Sequence, residues 1–209
     1  MLATTFEFLD VPRFFALIDQ ELELVEPEAR HVAEMLAACH HPATRELLPT
    51  QGKMQRVDLE KFLAGNPRGH TAADPARLVE AGYTFWMRVR NGVAPPDGRV
   101  PADLAMVGSI SLRIGHSVNL DWYLGHIGYH VMPSARGHHY AARAARLLLP
   151  VARAHGHQHL WITCNPDNIA SRRTCELLGA AYVDTVLLPR ENPLYKQGER
   201  EKCRYRLAV

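Results

Sequence analysis

No stretch of this sequence approaches the roughly 20 consecutive apolar residues that a membrane-spanning helix needs. The chain opens Met1-Leu-Ala-Thr-Thr-Phe-Glu7, with no basic segment leading into an apolar one, so no secretory leader is expected. Cysteine is scarce and scattered: Cys39, Cys164, Cys175 and Cys203 make no Cys-x-x-Cys pair. That usage fits reduced thiols in a cytoplasmic protein, and it excludes a disulfide scaffold. There is no Gly-x-Ser-x-Gly elbow and no Gly-x-x-x-x-Gly-Lys-Ser/Thr phosphate loop, so the signatures of two large enzyme classes are missing. Repeats and low-complexity runs are missing too. Net charge is only +2, too little for a dedicated nucleic-acid binder.

What is present is an ordinary globular composition, 47% hydrophobic and 22% charged over 209 residues, which suits one domain better than two cores. Charge is spread unevenly: residues 1–100 hold 11 Lys/Arg against 14 Asp/Glu, and residues 101–209 hold 13 against 8. A basic C-terminal half with Arg136, Arg143, Arg146, Arg153, Arg172 and Arg173 suits a phosphate-rich ligand, although solvated helix faces account for most such arginines. An acidic first half is compatible with a cationic amine.

The most informative stretch runs from Ile127 to His155. Ile127, Tyr129 and Val131 alternate with smaller or polar residues, as a strand does, and Pro133 stops regular pairing. Ala141, Ala145, Leu148, Leu149 and Ala152 then recur three or four apart, opposite Arg143, Arg146 and Arg153, which predicts an amphipathic helix. Pro150 should bend or shorten that helix. A strand passing through a Gly-containing turn into a helix leaves backbone N–H groups without partners. Those donors and the positive end of the helix dipole make an anion site, for which phosphate is the usual occupant.

The residues Arg136-Gly-His-His-Tyr-Ala141 resemble the pyrophosphate-binding signature of the GCN5-related N-acetyltransferase (GNAT) superfamily, namely Arg or Gln, two residues, Gly, one residue, then Gly or Ala. His139 stands where glycine is usual, which asks it for a right-handed backbone or some strain. A second likeness lies in Asn168-Ile-Ala-Ser171 and the later Gly179, matching the family's helix beside the coenzyme. Together these resemble a bacterial branch of predicted acetyltransferases over residues 83–182. The resemblance implies an α/β (α+β) GNAT fold, a central mixed, mostly antiparallel twisted sheet with helices on both faces and a splayed pair of central strands. It divides the chain into an N-terminal acceptor wall (1–82), an acyl-coenzyme A core (83–182) and closing strands (183–209).

The resemblance further implies acetyl-coenzyme A as co-substrate, without a metal, and an amine-bearing acceptor, with neither nucleic acid nor membrane as partner. The coenzyme would meet Val131 and Met132 on the strand, Arg136, Gly137, His138, His139, Tyr140 and Ala141 in the turn, and Asn168 and Ser171 beyond. Pairing as a homodimer is also common in the family. The reaction it implies is direct transfer of an acetyl group to a primary amine in a ternary complex. The family's usual acid, a tyrosine, is replaced by Cys175, and its usual carboxylate base falls near Gly125. His126 is the nearest titratable group and the first candidate base, against a structural reading. Tyr129 is the second candidate, with Asp121 behind it. Cys175 reads more simply as an inert buried thiol. Because acid and base are both replaced, a non-catalytic acyl-coenzyme A binding or sensing module is the alternative; an unrelated phosphate-binding domain is a third reading.

The remaining segments carry weaker signals. Phe6 and Phe8 suggest a strand within residues 1–10, and residues 13–24 suggest a helix after Pro12. A second helix is expected from Pro27 through Cys39, with Glu21, Glu23, Glu26 and Glu28 clustered between the two; that cluster reads as an amine-attracting wall or as hydrated surface. Residues 40–82 are punctuated by proline and glycine and leave room for one short helix near residues 57–63. Strands are expected at 83–90, 105–113, 122–132 and 160–164, with a turn at 94–99 and a loop at 115–121. A helix over 170–178 stopped by Gly179 and a closing antiparallel pair, 182–188 with 203–208, complete the order. His155, His157 and His159 stand two apart and would share one face of a strand as metal ligands, but no Cys or carboxylate lies nearby in the sequence. His138 and His139 raise the same question within the phosphate turn.

Overall fold

Tyr83, Phe85, Met87 and Val89 point to one side of the sheet while Thr84, Trp86 and Arg88 point to the other, and this alternation organises the protein. A computed structural model describes residues 7–90 and 104–209. In chain order its elements are α1 (Val11–Phe14), β1 (Leu22–Val25), α2 (Val32–His40), α3 (Pro42–Leu47), α4 (Pro49–Gly52), α5 (Arg56–Gly65), β2 (His70–Thr71) and β3 (Gly82–Val89). They continue as β4 (Met106–Arg113), β5 (Ile127–Val131), α6 (Tyr140–Ala154), β6 (His159–Cys164), α7 (Ile169–Leu178), β7 (Ala181–Leu187), α8 (Pro193–Lys196) and β8 (Glu201–Ala208).

One sheet has the order β1-β3-β4-β5, with β2 beside the start of β3; the other has the order β6-β8-β7. Every described pairing is antiparallel. Helix α6 lies on the face that carries Phe85, Met87, Ile110 and Leu112, and its Ala144, Ala145, Leu148 and Val151 complete the larger core. On the opposite face α2 and α5 cover Trp86 and Met106 through Val32, Met35 and Leu59. Helices therefore flank both sides, as expected. No helix among the described residues is long and apolar enough to cross a membrane.

Several expectations need correction. Residues 7–10 form no strand, and the turn expected at 94–99 lies outside the described residues. The helix expected over 13–24 is a four-residue turn, α1, followed by strand β1. Asp19 Oδ1 accepts the N–H groups of Glu21 and Leu22 at 2.9 and 2.7 Å, a local turn that competes with helix. Leu22 and Leu24 then fill alternate core positions, so period two wins over period 3.6. Three helices, not one, occupy residues 42–65, two of them begun by proline at the first position. Residues 122–126 do not belong to β5; Leu120–Leu124 form a π-helical turn that ends at Gly125, φ +76°. Helix α6 runs unshortened past Pro150, whose exposed position leaves water to serve the freed Arg146 carbonyl. The helices at 32–40, 56–65 and 169–178 and the closing pair β7–β8 stand where expected.

Of the acidic cluster only Glu28, in an exposed pair with Arg30, keeps the hydrated-surface reading. Glu21 meets Arg143 at 2.9 Å and the Tyr140 hydroxyl, Glu23 meets Arg88 at 2.9 Å, Glu26 meets Arg68 at 3.0 Å, and Glu28 meets Arg30 at 3.1 Å. Each carboxylate already has an arginine; Glu21, Glu23 and Glu26 tether the β1 segment to distant ones, so the group presents no free field to an amine.

Candidate active site

The two sheets touch at one point and then part. His126 N–H donates to the Trp161 carbonyl at 2.7 Å, and Trp161 N–H donates to His126 Nδ1 at 2.9 Å. Beyond that joint β5 and β6 diverge, which is the splay expected of the central strands. The antiparallel alternation between β4 and β5 fixes which amides face the gap. Arg113 N–H reaches the His126 carbonyl and Met132 N–H reaches the Val107 carbonyl, both on the β4 side. The N–H groups of Tyr129 and Val131 therefore point away from β4, into the splay. Neither meets a backbone acceptor among the described residues.

Below this open edge the chain turns through Pro133–Ala135 and Gly137 (φ +95°) into α6. The first in-register bond of α6 runs from Arg143 N–H to the His139 carbonyl at 3.0 Å, so the preceding amides of the first turn have no helical acceptor. No side chain caps them. His139 sits at φ 58°, ψ 23°, a left-handed conformation that costs a non-glycine residue about 1–2 kcal/mol. The turn thus demands positive φ where the family signature has glycine, and His139 adopts it instead of adopting a right-handed backbone.

Strand edge and helix start open onto one cleft of about 450 Å³. Of the expected coenzyme residues, Val131, Arg136, Gly137, His139, Tyr140, Ala141, Asn168 and Ser171 line it, together with Tyr129. Met132 and His138 do not: Met132 is buried in the smaller core, and the His138 ring stacks on Tyr140 at 5.4 Å. The Tyr140 side chain turns inward to Glu21, so it offers the cleft its main chain. Asn168 caps α7 by accepting Ser171 N–H at 3.0 Å. His130, Arg173, Thr174 and Leu177 also line the cleft and carried no motif signal. Of the six arginines singled out, Arg136 and Arg173 face it; Arg143 is spent on Asp19 and Glu21.

His126 lies off the cleft and is fully buried. Its Nδ1 accepts from Trp161, so Nε2 carries the proton and donates to the Gly115 carbonyl at 3.1 Å. Burial, then the neighbouring His157, holds its pKa down to about 4. Both ring nitrogens are committed to main chain, which is the geometry of a structural histidine. Tyr129 reaches Ser171 Oγ at 2.7 Å at the floor of the cleft, and burial raises its phenol well above the usual value. Cys175 is fully buried against Cys164; their shared hydrogen bond, then burial, pushes the Cys175 thiol up, as an inert thiol requires.

His155 leaves its two sequence neighbours and contacts the Tyr83 hydroxyl at 2.7 Å. His157 instead joins His116 and His126, with ligand atoms within 4.8 Å of one another and Asp121 beside them. The Nε2 proton of His126 bars that atom from a metal, because moving it to Nδ1 would set two N–H groups against each other at Trp161.

The cleft continues past Tyr129, Asn168 and Ser171 into a smaller pocket of about 220 Å³ between β5 and β6, reaching Arg113, Thr163, Asn165, Glu199 and Lys202. A cleft with an anion-binding turn at one end and a polar pocket at the other can hold a long phosphorylated arm and a second molecule at its tip.

A family model described as an acetyltransferase (GNAT) domain matches residues 21–181. No curated protein matches the sequence. Among solved structures, the microcin C7 self-immunity acetyltransferase MccE, in complex with acetyl-CoA and AMP, superposes with a TM-score of 0.64 at 13% identity, over 93% of this chain and 99% of that one. A putative ribosomal-protein-serine acetyltransferase from Vibrio cholerae gives 0.62 at 17% identity, over 94% and 98%. RimL, a ribosomal L7/L12 α-N-protein acetyltransferase, in complex with coenzyme A, gives 0.59 at 15% identity, over 93% and 97%.

Proposed function

The chain belongs to the GNAT acetyltransferase family, and on that premise we propose that it transfers an acetyl group from acetyl-coenzyme A to a primary amine in one direct step. One observation carries this reading: the free strand edge at Tyr129 and Val131 and the uncapped start of α6 converge on a single cleft. The diphosphate is held by amides of the turn and first helical residues, where the dipole favours negative charge. The pantetheine arm lies along β5 as an added strand.

In this arrangement the amine nitrogen attacks the thioester carbon and an oxyanion forms within reach of a β5 amide. Collapse breaks the C–S bond, the nitrogen loses its extra proton to water, and coenzyme A leaves as the thiolate. We assign Tyr129 as a hydrogen-bond donor to that sulfur; its raised pKa keeps the proton on the phenol. His126 is assigned to hold the two sheets together at the apex of the splay. We read residues 1–209 as one such domain.

Thiol release with acetyl-coenzyme A across an amine panel tests the reading, with Tyr129→Phe run beside the wild type. Amine-dependent release is expected, lowered about tenfold in kcat by the variant for one lost hydrogen bond to a charged sulfur. The non-catalytic alternative rests on Cys175 and Gly125 replacing acid and base. It predicts thermal stabilisation by acetyl-coenzyme A with no release under any amine, and that pattern would sink the transfer reading.

A further inference from the structure

Arg113 ends β4 and reaches over to Gly128 of β5. An atom added as Cβ on Gly128 would stand 3.0 Å from its Nη2 and 3.1 Å from its Nη1, so the missing side chain leaves the bed for the guanidinium. Its one hydrogen bond among the described residues is Nη1 to the Gly125 carbonyl at 3.0 Å. No carboxylate is within ion-pair reach of it among those residues. Glu80 is near enough to be felt, yet its Oε1 accepts the Ser117 hydroxyl at 2.6 Å. The guanidinium is removed from water strongly enough that burial lowers its pKa. A half-buried cation with a carboxylate nearby but no direct ion pair has room for a second anion to join it.

Its place says which anion. Arg113 lines the pocket beyond Tyr129 and Ser171, at the end of the cleft where the proposed thioester arm finishes. The other cation there, Lys202, is already bonded to Asn165 at 2.8 Å and paired with Glu199. Thr84 and Ser111, bonded to each other at 2.9 Å, share the Arg113 side of the sheet, away from α6. Those two hydroxyls line a neighbouring pocket with Glu80, while Nε and Nη2 of Arg113, without a hydrogen bond among the described residues, can take a carboxylate two-pronged. A phosphate dianion would call for more positive charge.

Resting on the transfer reading above, we propose that Arg113 recognises a carboxylate on the acceptor, so that the substrate is an amine carrying an acid group close by. Such a carboxylate comes either from a free amino acid or from a peptide with an acidic side chain near its amino terminus. Arg113 orients the acceptor and takes no part in bond making.

The test compares matched acceptors, each acid against its carboxamide, by acetyl-coenzyme A-dependent thiol release, with free amino acids and amino-terminal peptides as separate arms. Wild type should favour the acid in at least one arm by about tenfold or more in kcat/KM, the worth of a charge-assisted hydrogen bond. Arg113→Gln should erase the preference while the thermal shift with acetyl-coenzyme A is kept. Gly128→Ala keeps the charge and displaces the fork, so it should erode the preference even if the first variant folds poorly. Equal use of acid and amide by wild type, or a preference that survives in both folded variants, overturns the proposal. Were acetyl-coenzyme A to bind but no amine to react, the transfer reading itself would fall. Calorimetry then decides for Arg113 alone: with coenzyme A present, N-acetylated acid should bind and its amide should not, and equal binding refutes the assignment.

Discussion

At the scale of single residues, the sequence left His126 open between a base and a structural role, and in the structure both its ring nitrogens meet main chain. That it is the nearest titratable group to Gly125 was legible; its complete burial was not, because that depends on Trp161 and Gly115 arriving from other segments. The folded protein resists protonating this ring, with its pKa near 4, whereas the unfolded chain takes the proton at about 6.5. Stability is therefore full above pH 6.5 and falls as pH drops toward 4, by roughly 3 kcal/mol for one such ring. His157, also buried and depressed to about 4, adds in the same direction. Denaturant titrations between pH 7 and 4 should show this decline, to which the lowered His70, His130, His155 and His159 also add, and His126→Gln, lacking a titrating ring, should make it shallower. A slope unchanged in that variant would show that His126 is not held neutral. His139 gives the complementary lesson: the motif alone flagged the missing glycine, and the structure adopts the left-handed backbone that the glycine would have made easy.

At the scale of elements, periodicity was a good guide where one face is buried and a poor one where a local turn intervenes. Helix α6 was readable because its alanines and leucines fall on one stripe facing the sheet. The helix expected before β1 fails because Phe14 and Ile18, four apart, are 64% and 41% exposed, while Phe15 and Leu17, two apart, are the ones that pack on the core. Pro150 was expected to bend or shorten α6, and the helix runs four residues past it. The helix tolerates it at a cost, since Pro is about 3 kcal/mol worse than Ala in a helix interior, less a fraction recovered through the unfolded state. Pro150→Ala should accordingly raise unfolding stability by about 2 kcal/mol in a urea or guanidinium titration, with the transition otherwise unchanged. A stability equal to or below the parent would mean that the surrounding helix is already distorted to suit the ring. The carboxylates in and around β1 teach the same point from charge: their clustering suggested a field, and three arginines from distant positions and the neighbouring Arg30 offset it.

At the scale of the whole molecule, the site is where two antiparallel sheets part. The family signature located the anion end of the cleft and the Asn168–Ser171 wall, since both are continuous in sequence. The acceptor end was invisible because Arg113, Thr163 and Lys202 come from three strands, brought together by the pairing of β4 with β5 and of β6 with β8. Sequence therefore named most of the residues that line the cleft and left unnamed those of the pocket beyond it. The account stands or falls on coenzyme placement, and amide hydrogen exchange with and without acetyl-coenzyme A tests it most directly. It predicts new protection at the Tyr129 and Val131 amides and through residues 137–142, with little change along β7. Protection appearing elsewhere, with those amides exchanging as fast as in the free protein, would contradict it.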